Sequence, residues 1–273
     1  MDLRIVNTCN NNCLYCLEQS YRTKDKYKDT NYIIEKLKNN SQEKIINFYG
    51  GNPLLHYDFI DIIRYSKSFG YKSIGVLTNT LGLNKDYLGN LISSGLTSIG
   101  FYFNSFDEKN HNIIVDGGIT LHELISNISL IKDSQINYKA IIHINNQNIK
   151  RLYKDIIILN KKYNVNNFEF INYFPFDRPY DKYKDLLEYD YYDNKKYINL
   201  FFLSLIKLNI NAKFIKFSKD FFGDFTNYYD YENGILNQIG EEDVDRLKLL
   251  TPFCYVEKRC NYCFIKDNCK FYG

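Results

Sequence analysis

Along the chain, short runs of apolar and β-branched residues alternate with longer segments in which apolar side chains return every three or four positions. The first pattern belongs to buried strands and the second to amphipathic helices. Six strands are predicted, near Leu3 to Thr8, Lys44 to Tyr49, Ser73 to Thr78, Ser98 to Phe103, Tyr138 to Ile144 and Phe168 to Phe174. Helices are predicted near Thr30 to Asn39, Tyr57 to Phe69, Lys85 to Ser94, Thr120 to Ser134 and Asn148 to Tyr163, with another following from Asn194. Asp58 and Asn84 stand at helix starts, where a side-chain oxygen can accept a free amide. Such alternation calls for an α/β fold, a parallel sheet with crossover helices. No sharp boundary precedes Asn211, so the expected division is a barrel-like domain over residues 1–210 and a C-terminal extension over 211–273.

In a barrel of parallel strands and helices, chemistry gathers where the carboxyl ends of the strands open into loops. The unusual residues here fall at those ends. Thr8-Cys9-Asn10-Asn11-Asn12-Cys13-Leu14-Tyr15-Cys16 follows the first strand, and Gly50-Gly51-Asn52-Pro53 follows the second. Thr78-Asn79-Thr80 closes the third, and Asn104-Ser105-Phe106-Asp107 closes the fourth. Four independent turns thus place their distinctive residues on one rim.

Length and charge set the class. At 273 residues the chain can build one large core plus a small appendage. A formal charge of +3 with interspersed signs offers no stripe for nucleic acid and no membrane-seeking face. The most apolar segment, Tyr197 to Ile210, is too short to span a bilayer and contains Lys207, so it reads as a buried helix. Met1 to Asn10 lacks the basic start and apolar run of a secretory signal, and a cytoplasmic setting is expected. The 26 tyrosines and 20 phenylalanines accompany abundant Asn, Ile and Lys, which points to biased genome composition rather than to aromatic chemistry.

The seven cysteines are odd in number and fall in groups of three and four, which suits metal clusters better than disulfides. With three and then two residues between them, Cys9, Cys13 and Cys16 can be aimed at one centre from a short loop. Four thiolates close a cubane iron-sulfur cluster, whereas three leave one iron open. A zinc site with a distant fourth ligand is the rival. Cys254, Cys260, Cys263 and Cys269, separated by five, two and five residues, can close one tetrahedral site, and on spacing alone that site reads as zinc.

The cysteine loop, with aromatic Tyr15 just before Cys16, resembles the signature of the radical SAM superfamily. The resemblance implies a partial (β/α)6 TIM-like barrel with a small cysteine-rich extension, and a 4Fe-4S cluster on Cys9, Cys13 and Cys16. S-adenosylmethionine would chelate the open iron and be cleaved reductively to a 5′-deoxyadenosyl radical, with electrons from a donor such as flavodoxin or ferredoxin. Gly50, Gly51 and Asn52 resemble the superfamily's Gly-Gly-Glu-Pro element, which holds the methionine amino group; Asn in place of Glu turns a charged contact into a neutral one. Tyr15 and Asn79 are further expected cofactor contacts.

Ser105 to His111 resembles the Ser-x-Asp-Gly stretch leading to a His in the branch with C-terminal clusters, so Ser105 is expected to meet ribose or carboxylate. No Arg is carried over, because Val115 stands at its place. Asp107 and His111 read as ordinary loop residues, and His56, His122 and His143 as structural histidines. The last three C-terminal cysteines resemble part of SPASM or twitch extensions, which implies an auxiliary 4Fe-4S cluster over zinc. The Tyr-rich stretch Asn172 to Lys196 either covers the open barrel, gripping substrate with Arg178 and tyrosines, or is a solvated loop.

The expected function is oxidative modification of a residue in a peptide or small protein. Rivals are a radical SAM enzyme acting on a small molecule, and a non-enzymatic protein with two cysteine-metal modules. No separate leader-binding domain is expected ahead of Leu3, so peptide recognition is expected to fall to the Tyr-rich loop, the barrel mouth or a separate partner.

Overall fold

The computed structural model describes residues 1–16, 26–173, 180–215, 217 and 219–225. Cys254, Cys260, Cys263, Cys269 and Arg178 lie outside them, so the expected auxiliary cluster is not described.

Seven parallel strands form one sheet in sequence order: β1 (Asp2–Val6), β2 (Ile45–Gly50), β3 (Ser73–Thr78), β4 (Ser98–Tyr102), β5 (Asn137–Ile144), β6 (Asn167–Asn172) and β7 (Asn211–Ile215). The order starts at β1 and ends at β7 without pairing the two, so the sheet is not closed into a barrel. Helices α1 (Thr30–Asn39), α2 (Phe59–Ser68) and α3 (Lys85–Ser94) make the first three crossovers. The pair α4 (Glu108–Val115) and α5 (Leu121–Asp133), then α6 (Leu152–Tyr163), then α7 (Tyr180–Leu187) and α8 (Tyr191–Lys207) make the rest.

Alternation along the strands explains the layers. Ile46 and Phe48 of β2, Ile74 and Val76 of β3, Ile99 and Phe101 of β4, and Phe168 and Phe170 of β6 are buried with Ile33, Leu37, Ile62, Leu91, Ile128, Ile156 and Phe201 of the helices in one core. Burying such side chains contributes about 1.5–3 kcal/mol each. Asn84 caps α3 as expected, accepting the Tyr87 N–H. Asp58 occupies the cap position of α2 but makes no cap bond there; its carboxylate accepts from the Thr30 hydroxyl at 2.6 Å.

The structure corrects the expected element list in two places. Asp107 and His111 are not loop residues, since Asp107 caps α4 and His111 is buried within it. The Tyr-rich stretch contains α7 and the start of α8. The expected division after residue 210 falls just before β7, which pairs with β6 from Asn167↔Asn211 to Ile171↔Ile215. The sheet therefore runs on past that division.

Candidate metal and cofactor centre

The cysteine loop leaves β1 at the carboxyl end of the sheet and is held from both sides. On one side Gly51 donates its N–H to the Val6 carbonyl and Asn52 donates to that of Thr8, at 3.1 and 2.9 Å. The approach is so close that a Cβ on Gly51 would lie 1.8 Å from the Thr8 oxygen; only glycine fits there. Gly50 ends β2 opposite Val6. On the other side Asn12 and Leu14 donate N–H groups to the carbonyls of Val115 and Ile114 at the end of α4, at 3.1 and 2.9 Å.

Cys9, Cys13 and Cys16 are half-buried thiols. The Asn11 backbone N–H points at Cys9 Sγ at 3.4 Å, and its side-chain amide at Cys13 Sγ at 3.9 Å. The Asn79 amide lies 3.6 Å from Cys9 Sγ and 2.9 Å from Asn10 Oδ1. Donors aimed at sulfur favour the thiolate, the form that binds metal. Three thiols in a backbone cradle, with N–H donors toward two of them, fit a thiolate-bound cluster.

Asn52 is fully buried, and its amide is engaged within the protein. Its Oδ1 accepts from the Thr78 hydroxyl at 2.8 Å and the Leu54 N–H at 3.3 Å. Its Nδ2 donates to the Leu81 carbonyl at 3.1 Å and to Asn10 Oδ1 at 3.3 Å. The side chain thus ties the turns after β2 and β3 to the cysteine loop.

Tyr15 reaches the fourth turn. Its hydroxyl donates to Asn104 Oδ1 at 2.9 Å, and its ring stacks on His143 of β5 with centroids 4.0 Å apart. Burial, and after it the neighbouring cysteines and Tyr102, raise the phenol well above its ordinary value, so it stays a donor. Over this ring lies a second apolar cluster: Leu14 and Tyr15 of the loop, Ile114 of α4, Tyr173 after β6, and Tyr183 and Leu187 of α7, with Cys13 packed against it. At Tyr183 and Leu187 the Tyr-rich segment covers the cysteine loop instead of standing in solvent.

Ser105 faces inward. Its buried hydroxyl donates to Asp155 Oδ2 at 3.2 Å and accepts the Asp107 N–H at 3.0 Å. Asp155 also holds the Arg151 guanidinium at 2.8 Å. Burial pushes the Asp155 carboxyl up, against the pull of Arg151 and Ser105. Among the histidines, His56 is structural: Nδ1 accepts the Asp58 N–H, which leaves Nε2 to donate to the Lys28 carbonyl at 3.0 Å. His122 is exposed on α5.

His111 donates from Nε2 to the Ile119 carbonyl at 3.0 Å and is fully buried. Burial lowers its pKa from 6.5, so as the pH drops the unfolded chain takes up a proton before the folded chain does. Stability therefore rises with pH through the window between the lowered value and 6.5, and is lost as pH falls through it. Urea titrations from about pH 7 down to about pH 5 are expected to show this loss, and His111→Gln to remove that part of the slope. An unchanged slope would mean that His111 protonates freely in the folded chain.

Sequence reasoning quoted Asn10, Asn11 and Asn104 within their motifs but gave them no role, and it did not single out the Gly117-Gly118 turn, in which Gly118 packs against Asn10 and Asn11. The second Gly-Gly pair was the visible signal for that turn.

An open parallel α/β sheet with a three-thiol loop at its carboxyl mouth defines a class of cluster-binding proteins. A model of the radical SAM superfamily matches residues 3–156, and the chain belongs to that superfamily. The superfamily implies a 4Fe-4S cluster and S-adenosylmethionine. The chain is 31% identical over 111 residues to an S-adenosylmethionine-dependent nucleotide dehydratase of Selenomonas ruminantium, an alignment covering 40% of each protein. It is 26% identical over 192 residues to a GTP 3′,8-cyclase of Limosilactobacillus fermentum, covering 67% of this chain and 56% of that enzyme. The chain thus spans about half the length of these curated relatives. Streptococcus suis SuiB bound to precursor peptide SuiA shares the fold at a TM-score of 0.64 and 13% identity, over 98% of this chain and 70% of SuiB. Among the described residues no helix is long and apolar enough to cross a membrane.

Proposed function

We propose that this chain is a radical SAM enzyme that oxidatively modifies a residue in a peptide or small protein. The observation that carries the first half is the half-buried three-thiol loop, with Asn11 and Asn79 donating toward its sulfurs and Gly51 packed beneath it. Cys9, Cys13 and Cys16 would hold a 4Fe-4S cluster that, with S-adenosylmethionine on its open iron, supplies reductive cleavage to a 5′-deoxyadenosyl radical. Gly50, Gly51, Asn79 and Tyr15 border that position; Asn52 and Ser105 support it from behind, through hydrogen bonds within the protein. The apolar cover of Tyr173, Tyr183 and Leu187 packs over Leu14, Tyr15 and Cys13 and limits the access of water to that side of the loop, which favours radical chemistry.

The peptide half rests on the fold shared with peptide-bound SuiB over nearly the whole chain. It also rests on the C-terminal cysteines, which we assign to a SPASM-like auxiliary 4Fe-4S cluster, with zinc as the alternative. The reading includes a reducing electron donor such as flavodoxin or ferredoxin, a cytoplasmic setting, and a separate partner that can present the peptide. A second reading, small-molecule chemistry on a nucleotide, is favoured by the sequence likeness to the dehydratase and the cyclase.

The test is anaerobic iron-sulfur reconstitution followed by incubation with S-adenosylmethionine and dithionite. About eight irons per chain, two cubanes by cysteine arithmetic, and release of 5′-deoxyadenosine are expected. Stoichiometric zinc with neither absorbance nor 5′-deoxyadenosine would sink the enzyme reading. Nucleoside triphosphates that raise 5′-deoxyadenosine above its uncoupled level would favour the second reading over the first.

A further inference from the structure

Within the cysteine loop, Asn11 faces sulfur with both its side chain and its backbone. Its N–H points at Cys9 Sγ at 3.4 Å, and its Nδ2 at Cys13 Sγ at 3.9 Å. An amide can turn over and present oxygen instead, but here a neighbour decides. The Ile119 N–H donates to Asn11 Oδ1 at 3.0 Å, which leaves Nδ2 as the group facing Cys13.

That neighbour is itself held. Ile119 ends a turn in which Asp116, Gly117 and Gly118 all have positive φ, at 48°, 97° and 96°. The Ile119 carbonyl accepts from buried His111 at 3.0 Å, and Asp116 accepts from the Asn12 amide at 2.6 Å. A Cβ on Gly118 would stand 2.2 Å from Asn11 Oδ1 and 2.3 Å from the Asn10 carbonyl oxygen. The turn is therefore shaped around this amide. Asn11 is only 5% exposed, so water competes little for its hydrogen bonds.

Hydrogen bonds to cluster sulfurs are among the factors that set iron-sulfur potentials, and partners behind the ligands tune them further. Donors facing thiolates offset the extra negative charge of the reduced state. We propose that Asn11 is a positioning residue, oriented by the turn at residues 116–119, that raises the reduction potential of a cluster held by Cys9, Cys13 and Cys16. This rests on the cluster assignment made under the proposed function. It goes beyond that assignment by naming which side chain makes the site easier to reduce, and what orients it.

The experiment is a redox titration, followed by electron paramagnetic resonance, of the reconstituted 273-residue chain and three variants. Asn11→Leu removes the side-chain donor at similar volume. Asn11→Asp keeps the acceptor for Ile119 but puts an oxygen and a charge toward Cys13. Gly118→Ala keeps the Asn11 side chain chemically intact and displaces its amide, since the new Cβ would lie 2.2 Å from Asn11 Oδ1. At the potential where the unaltered protein is half reduced, the reduced-to-oxidised ratio in each variant is expected to fall about tenfold, which is about 59 mV for one electron.

Full iron content with an unchanged midpoint in Asn11→Leu and Gly118→Ala would overturn the inference. Loss of iron from all three variants with an unaltered circular dichroism spectrum would give Asn11 a purely structural part and also overturn it. Failure of the unaltered protein to assemble a cluster at this loop would instead overturn the reading on which the inference rests, and the inference with it.

Discussion

Replacing Cys9, Cys13 and Cys16 together with alanine is expected to remove about four irons per chain, one cubane, and to abolish release of 5′-deoxyadenosine while the sheet stays folded. The fold should survive because the backbone hydrogen bonds that anchor the loop use no thiol. Gly51 and Asn52 donate to Val6 and Thr8, Asn12 and Leu14 donate to Val115 and Ile114, and Asn7 donates to Lys26. The thiols are half-buried rather than sealed in the core, so shortening them leaves no large cavity. Chemistry should not survive if, as proposed, these three thiolates hold the cluster. Iron analysis, circular dichroism and chromatography of the nucleoside product check the three parts separately. Residual cleavage in a folded triple variant would place the cofactor elsewhere in the chain.

Asn52→Leu should be the most destabilising single change at the site, by about 3–5 kcal/mol. Asn52 is fully buried and serves Thr78, Leu54, Leu81 and Asn10 at once. Leucine has similar bulk but no polar atoms, so the Leu54 N–H and the Leu81 carbonyl lose their Asn52 partner where water is excluded. Each such loss costs about 1–3 kcal/mol. Asn52→Glu, which from the sequence alone would restore the superfamily's acidic residue, is expected to destabilise as well. A carboxylate can accept from Thr78 and Leu54 but cannot donate to the Leu81 carbonyl, and its charge would be buried with no cation among these partners. Urea unfolding of both variants measures this directly. A loss below about 1 kcal/mol in Asn52→Leu would show that the amide does not tie the turns together.

Much of the fold was legible from pattern. The six expected strands are present at nearly the expected bounds, because alternating burial on a two-sided sheet writes a two-residue period into the chain. The long crossover helices were legible for the same kind of reason. The missing elements are those whose burial is partial or polar. α4 is eight residues reading Glu-Lys-Asn-His-Asn-Ile-Ile-Val, with its polar half first. β7 is five residues, and its burial pattern contains no fully buried position. α7 lies in a Tyr- and Asp-rich run, where two prolines had argued only against one continuous helix.

The site divides along the same line. Cysteine spacing, the aromatic before Cys16 and the Gly-Gly turn are local features, so the sequence by itself determined which residues form the loop and at which end of the sheet it emerges. What grips the loop was decided only by tertiary structure. Asn11 meets Ile119 across 108 residues, Tyr15 meets Asn104 across 89, and Asn79 meets Cys9 across 70. His143 read as an ordinary structural histidine until the register of β5 against β4 brought it beneath Tyr15. Contacts of this kind follow from strand register and crossover packing, which depend on the whole core at once. A polar side chain carries no local mark of the distant partner that will satisfy it.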